Sequence, residues 1–297
     1  MNWLQFTMSL GALEPRAVED AFLGLGAASV TFTDAGDDPV LEPGPGETPL
    51  WSNTQITGLF AGDTDLDAFR DALLSELDID ELPAHRSEEL ADRAWEREWL
   101  KDFGPMRFGE RLWICPTGHT VDDEGAIIID LDPGLAFGTG THPTTAMCLD
   151  WLDSIELRGK SVLDYGCGSG VLAIAALKLG AATATGMDID PQAVIATRQN
   201  ARDNKVAQKL RTAANEDGIE GVFDVIVANI LAGPLVEFAD SITSRLASGG
   251  MLALSGVLCE QADVVRAAYA PRIEFDELEL REQDGQVWSR LTGKRKD

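Results

Sequence analysis

Leu4, Phe6, Met8 and Leu10 alternate with Gln5, Thr7 and Ser9 at the start of the chain, the two-residue period of a half-buried strand. Pro15–Leu25, with acids in its first turns, follows as a short helix, and Ala28–Thr33 as a second strand. A stretch rich in proline, glycine and acid, Asp34–Pro49, interrupts the pattern before a strand at Thr54–Phe60. Thr64 and Asp67 pair like a capping box for a helix over Asp65–Leu77. A weakly marked extended stretch at Leu82–Ser87 completes the order β-α-β-β-α-β, that of a small ferredoxin-like α+β unit.

Ala91–Asp102 carries Trp95, Trp99 and Leu100 at helical spacing and predicts a connecting helix with an aromatic face. Turn-like Gly109 and Glu110, between Phe108 and apolar Leu112–Ile114, predict a hairpin over Arg107–Pro116, and Ala126–Leu131 reads as a further strand. Beyond Asp132 strands alternate with helices. Strands are expected at Ser161–Tyr165, Thr183–Asp188, Leu210–Ala214, Phe223–Asn229 and Met251–Ser255. Helices are expected at Val171–Leu179, Pro191–Asp203, Pro234–Leu246 and Cys259–Tyr269, and this alternation makes a doubly wound, mostly parallel α/β sheet. Ile273–Leu280 and Gln286–Leu291 lack a helix between them and predict an antiparallel hairpin at its edge. The expected boundaries are 1–88 for the small unit, 89–125 for the linker helix and hairpin, and 126–297 for the sheet domain.

A length of 297 residues suits two domains, each with its own core. Lysine and arginine number 24 against 50 acids, a net charge of −26, so nucleic acid is not expected as a direct partner: its phosphates would be repelled over most of the surface. A basic protein partner fits that charge, and so does adaptation to a saline cytoplasm or simple solubility; charge alone does not choose between them. Cysteines 115, 148, 167 and 259 form neither a disulfide framework nor a zinc set, and His85, His119 and His142 share no ligand spacing, so no metal is expected. The N-terminus lacks the basic start and apolar core of a signal peptide, and no apolar stretch is long enough to cross a bilayer; the expected location is cytoplasmic, off the membrane.

The chemistry concentrates in SVLDYGCGSGVLAIAALKLGAA, residues 161–182. Its glycines stand as G-x-G-x-G, not the G-x-G-x-x-G of a dinucleotide fingerprint, and Asp164 sits two residues before the first of them. A carboxylate beside a pyrophosphate would be repelled, which disfavours NAD; the same carboxylate suits a ligand carrying an ammonium and a sulfonium. Asp188, ending the next apolar run, is placed to accept hydrogen bonds from ribose hydroxyls. Together these features point to S-adenosylmethionine as cofactor, with Asp164, Gly166, Gly168 and Asp188 in its site. A second glycine-rich loop, DPGLAFGTGTHPTT over Asp132–Thr145, leads into a helix with Pro143 first and Thr141 or His142 at its cap; its amides and threonine hydroxyls would cover the cofactor, with Phe137 as a candidate against adenine. Asn229, at the end of the fourth strand, would present its carbonyl, with the main-chain carbonyl of Ile230, to the N–H groups of an amine; capping of the turn is the competing role.

The D-x-G-x-G-x-G string resembles motif I of the class I S-adenosylmethionine-dependent methyltransferases, and the final antiparallel hairpin matches their seven-stranded sheet. AFGTGTHPTT, VLDYGCGSGVLAIAALKLGA, DIDPQAV and NILAGPL, in this order behind a small N-terminal domain, resemble the bacterial methyltransferases of large-subunit ribosomal protein L11. That resemblance implies cofactor contacts at Thr145, Gly166, Asp188 and Asn229. It also implies methylation of the α-amine and lysine ε-amines of one basic ribosomal protein, adding up to three methyl groups. Two other readings are a glutamine or small-amine methyltransferase and a non-catalytic cofactor-binding adaptor. The first is disfavoured because NILA stands where glutamine methyltransferases carry N-P-P-[YF]. The second is disfavoured by the intact Gly166, Asp188 and Asn229.

Overall fold

A computed structural model describes residues 3–34, 36, 53–90, 104–132 and 140–297. The expected helix over Ala91–Asp102, Phe137 and most of Asp34–Pro49 lie outside the described residues. The chain divides into two compact units, Met1–Trp99 and Leu100–Asp297.

In the first unit the elements run β1 (Trp3–Ser9), α1 (Pro15–Gly24), β2 (Ser29–Asp34), β3 (Thr54–Ala61), α2 (Leu66–Glu76) and β4 (His85–Leu90). The sheet order is β2-β3-β1-β4, antiparallel throughout, with Leu4 opposite Phe60 and Met8 opposite Ile56. The alternation read from residues 4–10 places Leu4, Phe6, Met8 and Leu10 in one core with Phe22, Phe60 and Phe69. The rings of Phe60 and Phe69 are 4.5 Å apart between centroids and tilted, as aromatic quadrupoles prefer. The cap of α2 is Asp65 rather than Thr64: its Oδ1 accepts from the amides of Asp67 and Ala68, each at 3.1 Å. Asp and Thr both satisfy the free amides of a first turn, and here the carboxylate one residue later takes that position. The last strand begins three residues later than the weak pattern at Leu82–Ser87 suggested.

The second unit opens with β5 (Met106–Phe108), β6 (Leu112–Cys115) and β7 (Ile127–Asp130), a three-stranded sheet in which the predicted hairpin is antiparallel and β7 joins β6 in parallel. Then come α3 (Pro143–Ser154), β8 (Ser161–Tyr165), α4 (Val171–Lys178), β9 (Thr183–Met187), α5 (Pro191–Asp203) and β10 (Leu210–Ala213). The chain continues with β11 (Phe223–Asn229), α6 (Ala232–Glu237), α7 (Ala239–Ser244), β12 (Leu246–Leu258), α8 (Ala262–Tyr269), β13 (Ile273–Phe275), β14 (Glu279–Gln283) and β15 (Gln286–Arg295). The main sheet runs β10-β9-β8-β11-β12-β15-β13, with β14 paired on β15. β8 to β12 are parallel neighbours, and β15 turns the edge antiparallel.

The expected seven-stranded sheet thus has eight strands. Ile273–Leu280 breaks after Phe275, and its halves become β13 and β14, which pair with successive stretches of the long β15. The expected helix over Pro234–Leu246 likewise divides at Phe238 into α6 and α7. Both faces of the sheet are covered. Val162, Val225 and Ala253 pack with α3, α4 and the small sheet, while Leu163, Ile226 and Leu254 pack with α6 to α8. Such two-sided burial is why these strands read as continuous apolar runs. Among the described residues no helix is long and apolar enough to cross a membrane.

Candidate active site

The carboxyl ends of β8, β9, β10 and β11 point at one cavity of about 830 Å³, where ligands of doubly wound sheets bind. Its size is that of a small-molecule site. At the end of β8 the chain turns through Gly166, which has φ +77° and whose added Cβ would come within 2.2 Å of Ile230 Cγ2. On the neighbouring strand Gly256, at φ +84°, lets the chain pass so close that a Cβ would sit 2.3 Å from the carbonyl oxygen of Ile230. These two glycines bring the backbones after β8, after β11 and within β12 together at the cavity wall.

The glycine turn is held from below and from the side. Gly168 N donates to Asp188 Oδ2 at 2.8 Å, and Asp188 Oδ1 accepts from Asp190 N at 3.0 Å. Thr197 on α5 donates its hydroxyl to Gly168 O at 3.0 Å, and Asn200 Nδ2 donates to Ser169 O at 2.8 Å. The main-chain carbonyls of the turn are therefore occupied on the helix side. Beyond β10, the Glu216 carboxylate lines the cavity and accepts from Tyr165 Oη at 2.9 Å and from Ser241.

At the opposite wall the first turn of α3 delivers His142, Thr144 and Thr145. His142 caps that helix, its Nδ1 lying 2.7 Å from Thr144 Oγ1, and its ring meets Trp288 edge-on with centroids 4.6 Å apart. Burial lowers the His142 pKa, favouring the neutral ring. Asn229 donates from Nδ2 to Thr145 Oγ1 at 3.1 Å. Its Oδ1 is buried and has no hydrogen-bond partner among the described residues. An uncompensated buried carbonyl of this kind costs about 1–3 kcal/mol unless a ligand supplies a donor. Cys167 also lines the cavity, and burial raises its thiol pKa, favouring the neutral thiol.

A family model described as ribosomal protein L11 methyltransferase (PrmA) matches residues 2–296. This chain belongs to the ribosomal protein L11 methyltransferase family. The methyltransferase is 51% identical over 296 residues to the ribosomal protein L11 methyltransferase of Klebsiella pneumoniae, a match covering 99% of this chain and 100% of that protein. It is 50% identical over 295 residues to that of Methylococcus capsulatus, covering 99% of each. Among solved structures, the ribosomal protein L11 methylase of Lactobacillus delbrueckii subsp. bulgaricus is 31% identical with a TM-score of 0.59, spanning 66% of this chain and 100% of that one.

In the methyltransferase five of the six residues singled out from sequence, Thr145, Gly166, Gly168, Asp188 and Asn229, line the one cavity. Asp164 does not. It is fully buried beneath the turn, with Oδ2 accepting from Ala173 N at 3.0 Å and Oδ1 unpartnered among the described residues. Burial pushes its carboxyl up to about 7, against the help of the Ala173 amide and with the nearby Asp188 charge adding to the rise. Sequence reasoning missed Glu216, Gly256 and Trp288. Glu216 follows the end of β10 much as Asp188 follows β9, so the same rule that found Asp188 would have found it. Trp288 lies inside an edge strand with no local mark of a site. Among the described residues no group of His, Cys, Asp and Glu forms a metal centre.

Proposed function

We propose that this methyltransferase binds S-adenosylmethionine in the cavity and methylates the α-amine and lysine ε-amines of ribosomal protein L11, acting in the cytoplasm. The residues present fit the cofactor. Gly166, Gly168 and Gly256 line the cavity with backbone rather than side chains, and the carboxylates of Asp188 and Glu216 suit hydroxyl and amino donors. Thr145, Gly166, Gly168, Asp188 and Asn229 would hold it, and Asp164 would support the turn from beneath. When bound, the cofactor supplies a methyl group on a sulfonium, a leaving group that needs no oxyanion stabilisation.

The task left to the protein is positioning. The observation that carries this reading is the unpartnered, buried Asn229 carbonyl at the cavity wall: Thr145 fixes the amide through its NH₂ side, leaving the oxygen as an acceptor for the N–H of an incoming amine. Ile230 O, held by the close approach of Gly256, is the second acceptor. A lysine amine must arrive or become neutral, from an ordinary pKa of about 10.4, and a desolvated wall favours that. The proton leaves to water, and no side chain acts as an indispensable base.

The first unit serves as the recognition module within residues 1–88. Its β-α-β-β-α-β order and its antiparallel sheet of order β2-β3-β1-β4 support a ferredoxin-like assignment, and the catalytic unit takes in the β5–β6 hairpin as well as 126–297, since Phe108, Leu112 and Ile114 share the main core. The test is direct: incubate the full chain with S-adenosylmethionine and unmethylated ribosomal proteins, then read intact and fragment masses. Methyl increments at the N-terminus and lysines of L11 are expected. Methylation confined to glutamine, to another protein, or to none would overturn the reading.

A further inference from the structure

α3 carries Thr145 and His142 into the cavity, and polar bonds to two hairpins hold it there beside its packing. Residues 143–149 and 151–153 are buried, so the helix is covered nearly all round and shows no simple amphipathic stripe. Apolar burial is non-directional, so in this close-packed helix polar bonds add the orientation that burial alone does not specify. Directional bonds fix the register along with packing, and Asp150, less than two turns beyond Thr145, is the carboxylate that reaches both neighbouring hairpins. Asp150 Oδ1 accepts from Gly109 N, at the tip of the β5–β6 hairpin, at 2.6 Å. Its Oδ2 accepts from Arg281 Nη2, on β14, at 2.8 Å. The same two hairpins grip the helix again. Asp153 Oδ2 accepts from Glu110 N at 2.7 Å and from Arg111 N at 3.2 Å, its Oδ1 accepts from Arg111 Nε at 3.1 Å, and Arg290 on β15 donates to Met147 O, so Asp150 differs in joining the two hairpins through one side chain.

We propose that Asp150 is a positioning residue for methyl transfer. By tying α3 to both hairpins at once, it sets the place of Thr145 and, through the Thr145–Asn229 hydrogen bond, the aim of the Asn229 carbonyl. The inference rests on the role given above to Asn229. Charge and geometry support it: a half-buried carboxylate with one oxygen on a backbone amide and the other on a guanidinium is held rigidly, and a shift of about 1 Å at a reacting centre can cost up to 100-fold in rate.

The experiment combines Asp150→Ala, Asp150→Asn and Arg281→Met with Asn229→Ala in the full-length enzyme. Asp150→Ala is expected to lower kcat about tenfold while the Kd for S-adenosylmethionine changes less than about threefold, with Arg281→Met showing a smaller loss of the same kind. Asp150→Asn, which keeps an acceptor for Gly109, should recover part of the rate. In the Asn229→Ala background Asp150→Ala should cost nothing further. In the unliganded enzyme the side-chain amide signal of Asn229 in a ¹⁵N–¹H spectrum should move in Asp150→Ala. Full additivity of the two losses, or an unmoved amide signal with unchanged kcat in both Asp150→Ala and Arg281→Met, would overturn the proposal. An undiminished rate in Asn229→Ala alone would instead remove the role of Asn229 itself.

Discussion

A carboxyl sealed under the glycine turn, as Asp164 is, favours its protonated form in the folded chain because burial disfavours the charge. Its pKa rises from the ordinary 3.8 to about 7, so between those values the folded chain binds more protons than the unfolded one. Stability from this group is then complete below pH 3.8 and is lost as pH rises through 7, a fall of at most about 4 kcal/mol at about 1.4 kcal/mol per pH unit. Asp164→Asn cannot ionise and should remove that downward slope. Denaturant midpoints from pH 5 to pH 8 test this; parallel curves for the two proteins would show that the carboxyl is already charged at pH 5. At Asn229 the prediction concerns rate. Asn229→Ala should lower turnover roughly 100-fold and weaken cofactor binding far less, by no more than about tenfold, since its carbonyl acts chiefly on the acceptor amine. Stopped-flow turnover beside calorimetric binding separates the two effects. Residues of this kind are legible in sequence when a strand end announces them, as at Asp188 and Asn229. The burial of Asp164 was not, because the spacing D-x-G-x-G-x-G is the same whether the acid faces a ligand or the next helix.

The glycine turn depends on α5 for its shape. Thr197 is fully buried, and its hydroxyl donates to Gly168 O while lying 3.3 Å from Cys167 Sγ. Thr197→Val keeps the volume and deletes the donor, leaving a buried carbonyl short of a partner. The expected cost is about 1–2 kcal/mol of stability, with a several-fold weaker hold on S-adenosylmethionine and little change in kcat at saturation. Thermal unfolding with and without cofactor measures both; an unchanged affinity would show that the turn keeps its shape without α5. Elements with a strong period were legible: the alternation at Leu4–Leu10, the parallel strands and the helices at Val171 and Pro191 stand where their patterns put them. Three boundaries moved for reasons of tertiary structure. The Ile273–Leu280 run divides because β15 is long enough to pair with two partners in turn. The run from Pro234 bends at Phe238, which packs beside Tyr165 with ring centroids 6.1 Å apart. The cap of α2 passes to Asp65 because either neighbouring polar residue satisfies the same amides.

Over the whole molecule the dominant quantity is a net charge of −26 on 297 residues. Two accounts of that charge make opposite predictions. If it steers a basic protein substrate, encounter is driven by a field that salt screens, the Debye length falling from about 10 Å at 0.1 M toward about 3 Å at 1 M. KM for a basic ribosomal protein should then rise roughly tenfold or more between about 0.05 and 0.5 M salt, through a slower association rate. The Kd for S-adenosylmethionine should move much less, because short-range contacts in the cavity proposed for it would be screened less than encounter over the surface. If the charge is instead an adaptation to a saline cytoplasm, salt relieves repulsion among the 50 acids and stability rises with ionic strength, while KM for the protein substrate stays level. Measuring substrate KM, cofactor Kd and the unfolding midpoint over one salt series separates the two. A rising KM beside a flat Kd assigns the acidic surface to substrate capture, and a level KM beside a climbing midpoint assigns it to the solvent.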